Sequence, residues 1–166
     1  NILTLVKPES KISDVWPLLK KEMSFERQIF WVCPLIDESS ILNFSSAKKK
    51  FEQINKLFPN QVGLIHGSLN KDEKDLVLKK FLSKTIKILV STTVIEVGID
   101  FSDANTIVIE DSNKFGLSQL HQLRGRVGRG KNKSICILLY KKNLSDNARE
   151  RLKILRSSND GFEIAE

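Results

Sequence analysis

The run Gln119-Leu120-His121-Gln122-Leu123-Arg124-Gly125-Arg126-Val127-Gly128-Arg129-Gly130 holds the residues best suited to chemistry. Drawn as a helix turning about 100° per residue, it puts Gln122, Arg126 and Arg129 at i, i+4 and i+7, on one stripe. Leu120, Leu123 and Val127 fall on a second stripe that can face a core. Gly125 and Gly128 lie between the stripes and leave room for close approach. A guanidinium fork matches the geometry of phosphate and other oxyanions. A glycine inside a helix costs about 1 kcal/mol relative to alanine. Two glycines beside two arginines therefore imply that something anionic is accommodated there. The plainer reading is a solvated basic helix end, and residue types alone leave both open.

The rest of the pattern must position this run. Ile2 to Val6 reads as a strand, followed by a helix from about Ile12 to Met23 with Pro17 in its first turn or at a kink. Gln28 to Val32 is a dense apolar strand, and the polar stretch Asp37 to Ser46 reads as a loop. Ala47, Phe51, Ile54 and Phe58 make a helix face closed by Pro59. Val62 to Ile65 is a short strand meeting the His66-Gly67 turn. Asn70 can cap the next helix, with Glu73 as its capping-box partner, and that helix runs to about Leu82. Strands follow at Ile86 to Val90, Thr106 to Ile109 and Ile135 to Tyr140. The arginine helix starts near Leu117, and Ser145 can cap a last helix with Ala148, Leu152 and Leu155 on one face. Apolar strands alternating with helices predict an α/β fold, a mainly parallel sheet covered by helices on both faces. Such a sheet gathers ligands at the carboxyl ends of its strands.

Three short segments should reach that edge. Ser91-Thr92-Thr93 offers hydroxyls and backbone N–H groups that can hold a phosphate, or that simply cap a strand end. Gly98 and Asp100 read, alone, as a turn. His66-Gly67 lies at another strand end, where a single histidine is more often structural than functional.

Composition bounds the answer independently. The 166 residues fit one domain, 1–166, able to bury its own core. A net charge of +7 favours a polyanionic partner without proving one, because ordinary domains also carry such a surplus. Cys33 and Cys136 fall in apolar runs and read as buried thiols of a reducing compartment. No metal pair is expected from them, no apolar stretch is long enough to span a membrane, and no signal peptide opens the chain. The chain lacks an initiator Met and reads as an excised piece of something longer.

The order Gln122-x-x-Gly125-Arg126-x-Gly128-Arg129 resembles the last signature motif of superfamily 2 helicases and translocases. Ser91-Thr92-Thr93-Val94-Ile95-Glu96-Val97-Gly98-Ile99-Asp100 is similar to the motif preceding it. Val32-Cys33-Pro34-Leu35-Ile36-Asp37-Glu38-Ser39 and Phe115-Gly116-Leu117-Ser118-Gln119-Leu120-His121-Gln122-Leu123-Arg124 narrow the resemblance to the RecG branch-migration translocases. The transcription-repair coupling factor, whose partner is RNA polymerase, is the nearest cousin. The strings Cys-Pro-Leu-Ile and Glu-Val-Gly-Ile-Asp favour the RecG family over it.

The resemblance implies a RecA-like, P-loop NTPase-type three-layer domain, the second motor domain of an ATP-dependent translocase. It implies that Gln122, Arg126 and Arg129 act at the γ-phosphate, the last as an arginine finger. Gly98, Asp100, Gly125 and Gly128 would border the nucleotide, the aspartate at its ribose. Thr92, Thr93, His66 and Gly67 would meet the nucleic-acid backbone. DNA forks and Holliday junctions are the implied partners, with a preceding motor domain and a wedge domain of the same protein. A monomer in the bacterial cytoplasm, associated with the nucleoid, is expected. The choice of DNA over RNA rests on the family alone. A non-catalytic adaptor of the same fold would not need Arg126, Arg129 and Asp100 together.

Two motifs mislead. Gly125 to Lys131 has the spacing of a P-loop, but Asn132 stands where the Mg²⁺-binding hydroxyl belongs, and a helical pattern precedes it where a strand should. Asp72-Glu73-Lys74-Asp75 imitates a magnesium motif, yet falls in a first helical turn, where acids oppose the helix dipole. No residue is therefore expected to cradle the β-phosphate or bind Mg²⁺. ATP with its Mg²⁺ would be held mainly by the preceding domain.

Overall fold

The computed structural model describes residues 2–35, 40–92, 104–127, 133–141 and 144–157. Among these residues six strands form one sheet: β1 (Ile2–Pro8), β2 (Gln28–Cys33), β3 (Val62–Ile65), β4 (Ile88–Thr92), β5 (Ala104–Ile109) and β6 (Ser134–Tyr140). Their order is β1-β6-β5-β2-β4-β3, and every pairing is parallel. Five α-helices among the described residues cover it: α1 (Val15–Ser24), α2 (Ser40–Leu57), α3 (Lys71–Leu82), α4 (Leu117–Arg124) and α5 (Asp146–Ser157).

Strand alternation divides the core in two. Phe30 and Val32 of β2 point to one face with Phe81 of α3, Leu120 of α4 and Leu152 and Leu155 of α5. Ile29, Trp31 and Cys33 point to the other, with Val15 and Leu19 of α1 and Ala47 and Ile54 of α2. Trp31 is fully buried and stacks on Trp16 at 5.5 Å between ring centroids. Each large apolar side chain buried this way contributes about 1.5–3 kcal/mol. Both faces of the sheet are thus covered, as the uniformly apolar strands predict.

Local signals hold where the chain's own chemistry decides. Asn70 accepts from the Glu73 backbone at 2.8 Å, and Glu73 accepts from the Asn70 backbone at 3.1 Å, closing the capping box of α3. Asn70→Ala should cost about 1 kcal/mol, read as a small drop in melting temperature; no change would mean that packing alone holds α3. Ser145 caps α5 through the Ala148 N–H. Pro17 lies in the first turn of α1, where its missing N–H is harmless.

Two elements differ from the sequence pattern. Residues 40–46, read above as loop, are the first two turns of α2. Asn43 is buried one turn before Ala47 and extends the Ala47–Ile54 stripe backwards, so packing overrides the polar composition. The strand read as Ile86 to Val90 begins two residues later and runs to Thr92, which carries Ser91 and Thr92 into the sheet itself.

Candidate functional site: a cleft at the switch point

From β2 the chain crosses to β3 by way of α2, on one face. From β5 it runs to β6 by way of α4, on the other. β2 and β5 are neighbours, so their outgoing segments part in opposite directions and leave a crevice at the carboxyl edge. A cleft of about 310 Å³ lies there. Pro34 and Leu35 border it after β2, and Lys114 and Phe115 after β5; Gln119, Gln122 and Leu123 of α4 and then Arg126 complete it. The named lining offers amides, an ammonium and a guanidinium, and no carboxylate. It suits an anion.

The arginine run is not one continuous helix. α4 ends at Arg124, and Gly125 closes it with its N–H on the His121 carbonyl at 3.0 Å. Arg126 then bonds back to the Leu123 carbonyl at 3.1 Å, a tightened last turn. The helical stripe is thus corrected for Gln122 and Arg126, and Arg129 lies outside the described residues. Gln122 stands on the helix, Arg126 on the turn beyond it, and both still line the cleft. Arg124, the last residue of α4, turns inward. Its guanidinium donates to the Leu155 carbonyl at 3.0 Å and to Thr4 Oγ1 at 3.4 Å, and the residue is 2% exposed. Sequence reasoning missed it, though the signal was present. Arg124 sits on the apolar stripe itself, at i+4 from Leu120 and i−3 from Val127, both buried.

Gly125 is exposed, and a Cβ there would meet only the His121 and Gln122 carbonyls at 3.5 and 3.6 Å. Nothing within the described chain crowds it. Thr92 ends β4 next to Cys33 of β2; it is 2% exposed, and its Oγ1 has no hydrogen-bond partner among the described residues. His66 follows β3, and among the described residues nothing lies within 4 Å of where a side chain on Gly67 would begin. His66 Nδ1 accepts from the Ser68 backbone at 3.2 Å, and its ring lies 4.4 Å from that of Phe44. Burial holds its pKa below the usual histidine value, so the ring is neutral at pH 7 and holds the turn. Thr93, Gly98, Asp100, Gly128 and Arg129 lie outside the described residues.

Both misleading motifs sit as read. The P-loop-like run follows α4 and precedes β6, the reverse of a P-loop's strand-to-helix context. Asp72 and Glu73 occupy the first turn of α3. Cys33 and Cys136 are buried free thiols. Burial first, and then the Glu110 charge beside it, pushes the Cys33 thiol up, and burial alone raises Cys136 to about 12. Neither is a reactive thiolate.

The helicase conserved C-terminal domain family matches residues 23–131. The ATP-dependent DNA helicase RecG of Acidithiobacillus ferridurans is 48% identical over 163 residues, 98% of this chain and 24% of that protein. A solved structure of RecG bound to a three-way DNA junction superposes with a TM-score of 0.82 at 42% identity, covering 99% of this chain and 21% of that one. Yeast Dbp5, solved with RNA and ADP BeF3, shares the fold alone, with a TM-score of 0.69 at 17% identity over 96% of this chain and 40% of that one. The chain thus spans about a quarter of the length of the RecG proteins it matches. The sheet and its two helical layers are the RecA-like fold of these motor domains. By its matched residues, and by the architecture that carries them, the chain belongs to the helicase conserved C-terminal domain family.

Proposed function

We propose that this chain is the second motor domain of an ATP-dependent translocase that acts on branched DNA, as the similarity to RecG suggests. One observation carries the reading: Gln122 and Arg126 converge on an anion-suited cleft at the switch point of the sheet. The donor set fits the terminal phosphate of ATP. It offers Mg²⁺ no carboxylate among the described lining residues, and the family pattern assigns the metal and the β-phosphate to a preceding motor domain. When bound, ATP with Mg²⁺ supplies the phosphoryl group whose transfer releases energy. Arg126 would offer its guanidinium, and Gln122 its amide, to that group from the same cleft. Arg129, Gly98, Asp100, Gly125 and Gly128 are assigned to the same nucleotide by the family pattern. Thr92, Thr93, His66 and Gly67 are assigned to the nucleic-acid backbone by the same family pattern. An arginine supplied across an interface contributes roughly 10³ to 10⁵ in rate. Closing on the nucleotide and parting after hydrolysis, while each domain holds the backbone, converts chemistry to stepping. The buried free thiols suit a reducing cytoplasm, close to the nucleoid DNA.

The test uses this chain and the longer protein that carries it. The chain alone should show no steady-state ATP hydrolysis, with or without forked DNA, whereas the longer protein should hydrolyse ATP and be stimulated by the fork. Turnover by the chain that vanishes on Lys131→Ala would make the Gly125–Lys131 run a true P-loop and overturn the division of labour.

A further inference from the structure

Thr92, Cys33 and Glu110 stand side by side at the carboxyl edge, at the ends of three neighbouring strands. Cys33 is in register with Thr92, and Glu110 follows Ile109, the partner of Val32. The Glu110 N–H bonds the Val32 carbonyl at 3.0 Å. Alternation turns all three side chains to the α2 face, since Val90 and Val108, two residues earlier, lie in the α2-side core with Cys33. There Glu110 is held twice. The Cys33 thiol donates to Oε2 at 3.0 Å, and Lys50 of α2 approaches Oε1 at 3.2 Å. Lys50 is itself fixed: its ammonium donates to Gln53 Oε1 at 2.9 Å and lies 5.7 Å from the Trp31 ring centroid. The Lys50 and Glu110 side chains are only 17% and 13% exposed.

A carboxylate here needs an explanation. Strands about 4.8 Å apart put Glu110 roughly 10 Å from Thr92, about one Debye length at 0.1 M salt and well inside it at lower salt. The field of Glu110 reaches its other neighbours too: burial first, and then the charges of Asp111 and Glu110, hold the Glu9 carboxyl above its usual range.

We propose that Lys50 masks the charge of Glu110, so that a nucleic-acid phosphate can approach Thr92 without facing an uncompensated anion. This rests on the reading above that the Thr92 edge faces a phosphate backbone. Lys50 is then a positioning residue that acts through Glu110 and does not touch the nucleic acid. Glu110 keeps its structural duty at Cys33 whichever charge it carries.

The experiment measures binding of a labelled three-way DNA junction to the full chain at several salt concentrations, with melting curves to confirm folding. Thr92→Val should weaken binding; if it does not, the edge reading fails first, and the inference with it. Given that loss, Lys50→Met should weaken binding roughly five-fold at low salt, and the penalty should fade as salt screens the charge. Glu110→Gln, which still accepts the thiol, should tighten binding. The double variant Lys50→Met/Glu110→Gln should return to about the unmodified affinity, the signature of a masked charge and not of a lost contact. If the double variant binds as weakly as Lys50→Met, Lys50 grips the phosphate directly and the masking role is overturned, while the edge reading survives.

Discussion

Arg126→Ala in the longer protein should lower DNA-stimulated ATP hydrolysis by about 10³ or more, the lower end of what an arginine at a transferring phosphoryl group contributes. Arg126 lines the switch-point cleft from the turn that closes α4. It is partly exposed, and the residue after it, Val127, makes the core contact. Its removal should therefore cost this chain about 1 kcal/mol of stability or less, near the range of surface substitutions. Lysine should restore little, because a compact ammonium cannot reproduce a fork that meets two oxygens at once. Single-turnover rates with saturating ATP, set beside the melting temperature of the chain, separate the two effects. Activity that survives Arg126→Ala would remove Arg126 from the chemistry. Arg129→Ala is expected to match it in activity, on the family pattern.

The sequence disclosed whatever is set locally. Asn70 and Glu73 specify a cap within four residues, and Ser145 does the same for α5, so both were readable before any fold was known. Uniformly apolar strands disclosed a sheet covered on two sides, because no other arrangement hides both faces. What stayed hidden depends on partners distant in the chain. Residues 40–46 look like loop until Asn43 is seen buried in line with Ala47. The helical stripe through Gln122, Arg126 and Arg129 came from an ideal helix carried past its true end. Gly125 caps that end, and Arg124 beside it turns inward to Leu155 and Thr4, partners that lie far away in the chain. The candidate site was legible for the same reason in reverse. Gln122 and Arg126 fall in one short run, and that run borders the cleft although the helix stops between them. The Cys33–Glu110–Lys50 group was illegible because its members come from three separate elements.

Arg124→Ala should do the opposite of Arg126→Ala: it should unfold more than it inactivates. Arg124 is the buried arginine of the run, with one NH1 donating to both the Leu155 carbonyl and Thr4 Oγ1. These contacts tie α4 to the end of α5 and to edge strand β1, elements far apart in sequence. Truncation strands a buried carbonyl and a buried hydroxyl, each costing about 1–3 kcal/mol, and leaves a hole where the side-chain stem packed. A loss of about 3–4 kcal/mol is expected, or roughly 10 °C in melting temperature for a domain of this size. Arg124→Met keeps the stem but not the donors, so it should recover the packing share only. In the longer protein, ATP hydrolysis by Arg124→Ala should persist well below the new melting point, because the side chain faces α5 and β1 and does not line the cleft. The two arginines thus give crossed outcomes, one losing rate at constant stability and the other losing stability at nearly constant rate. A variant that melts normally yet hydrolyses nothing would reverse the assignment and make Arg124 the arginine that meets the nucleotide.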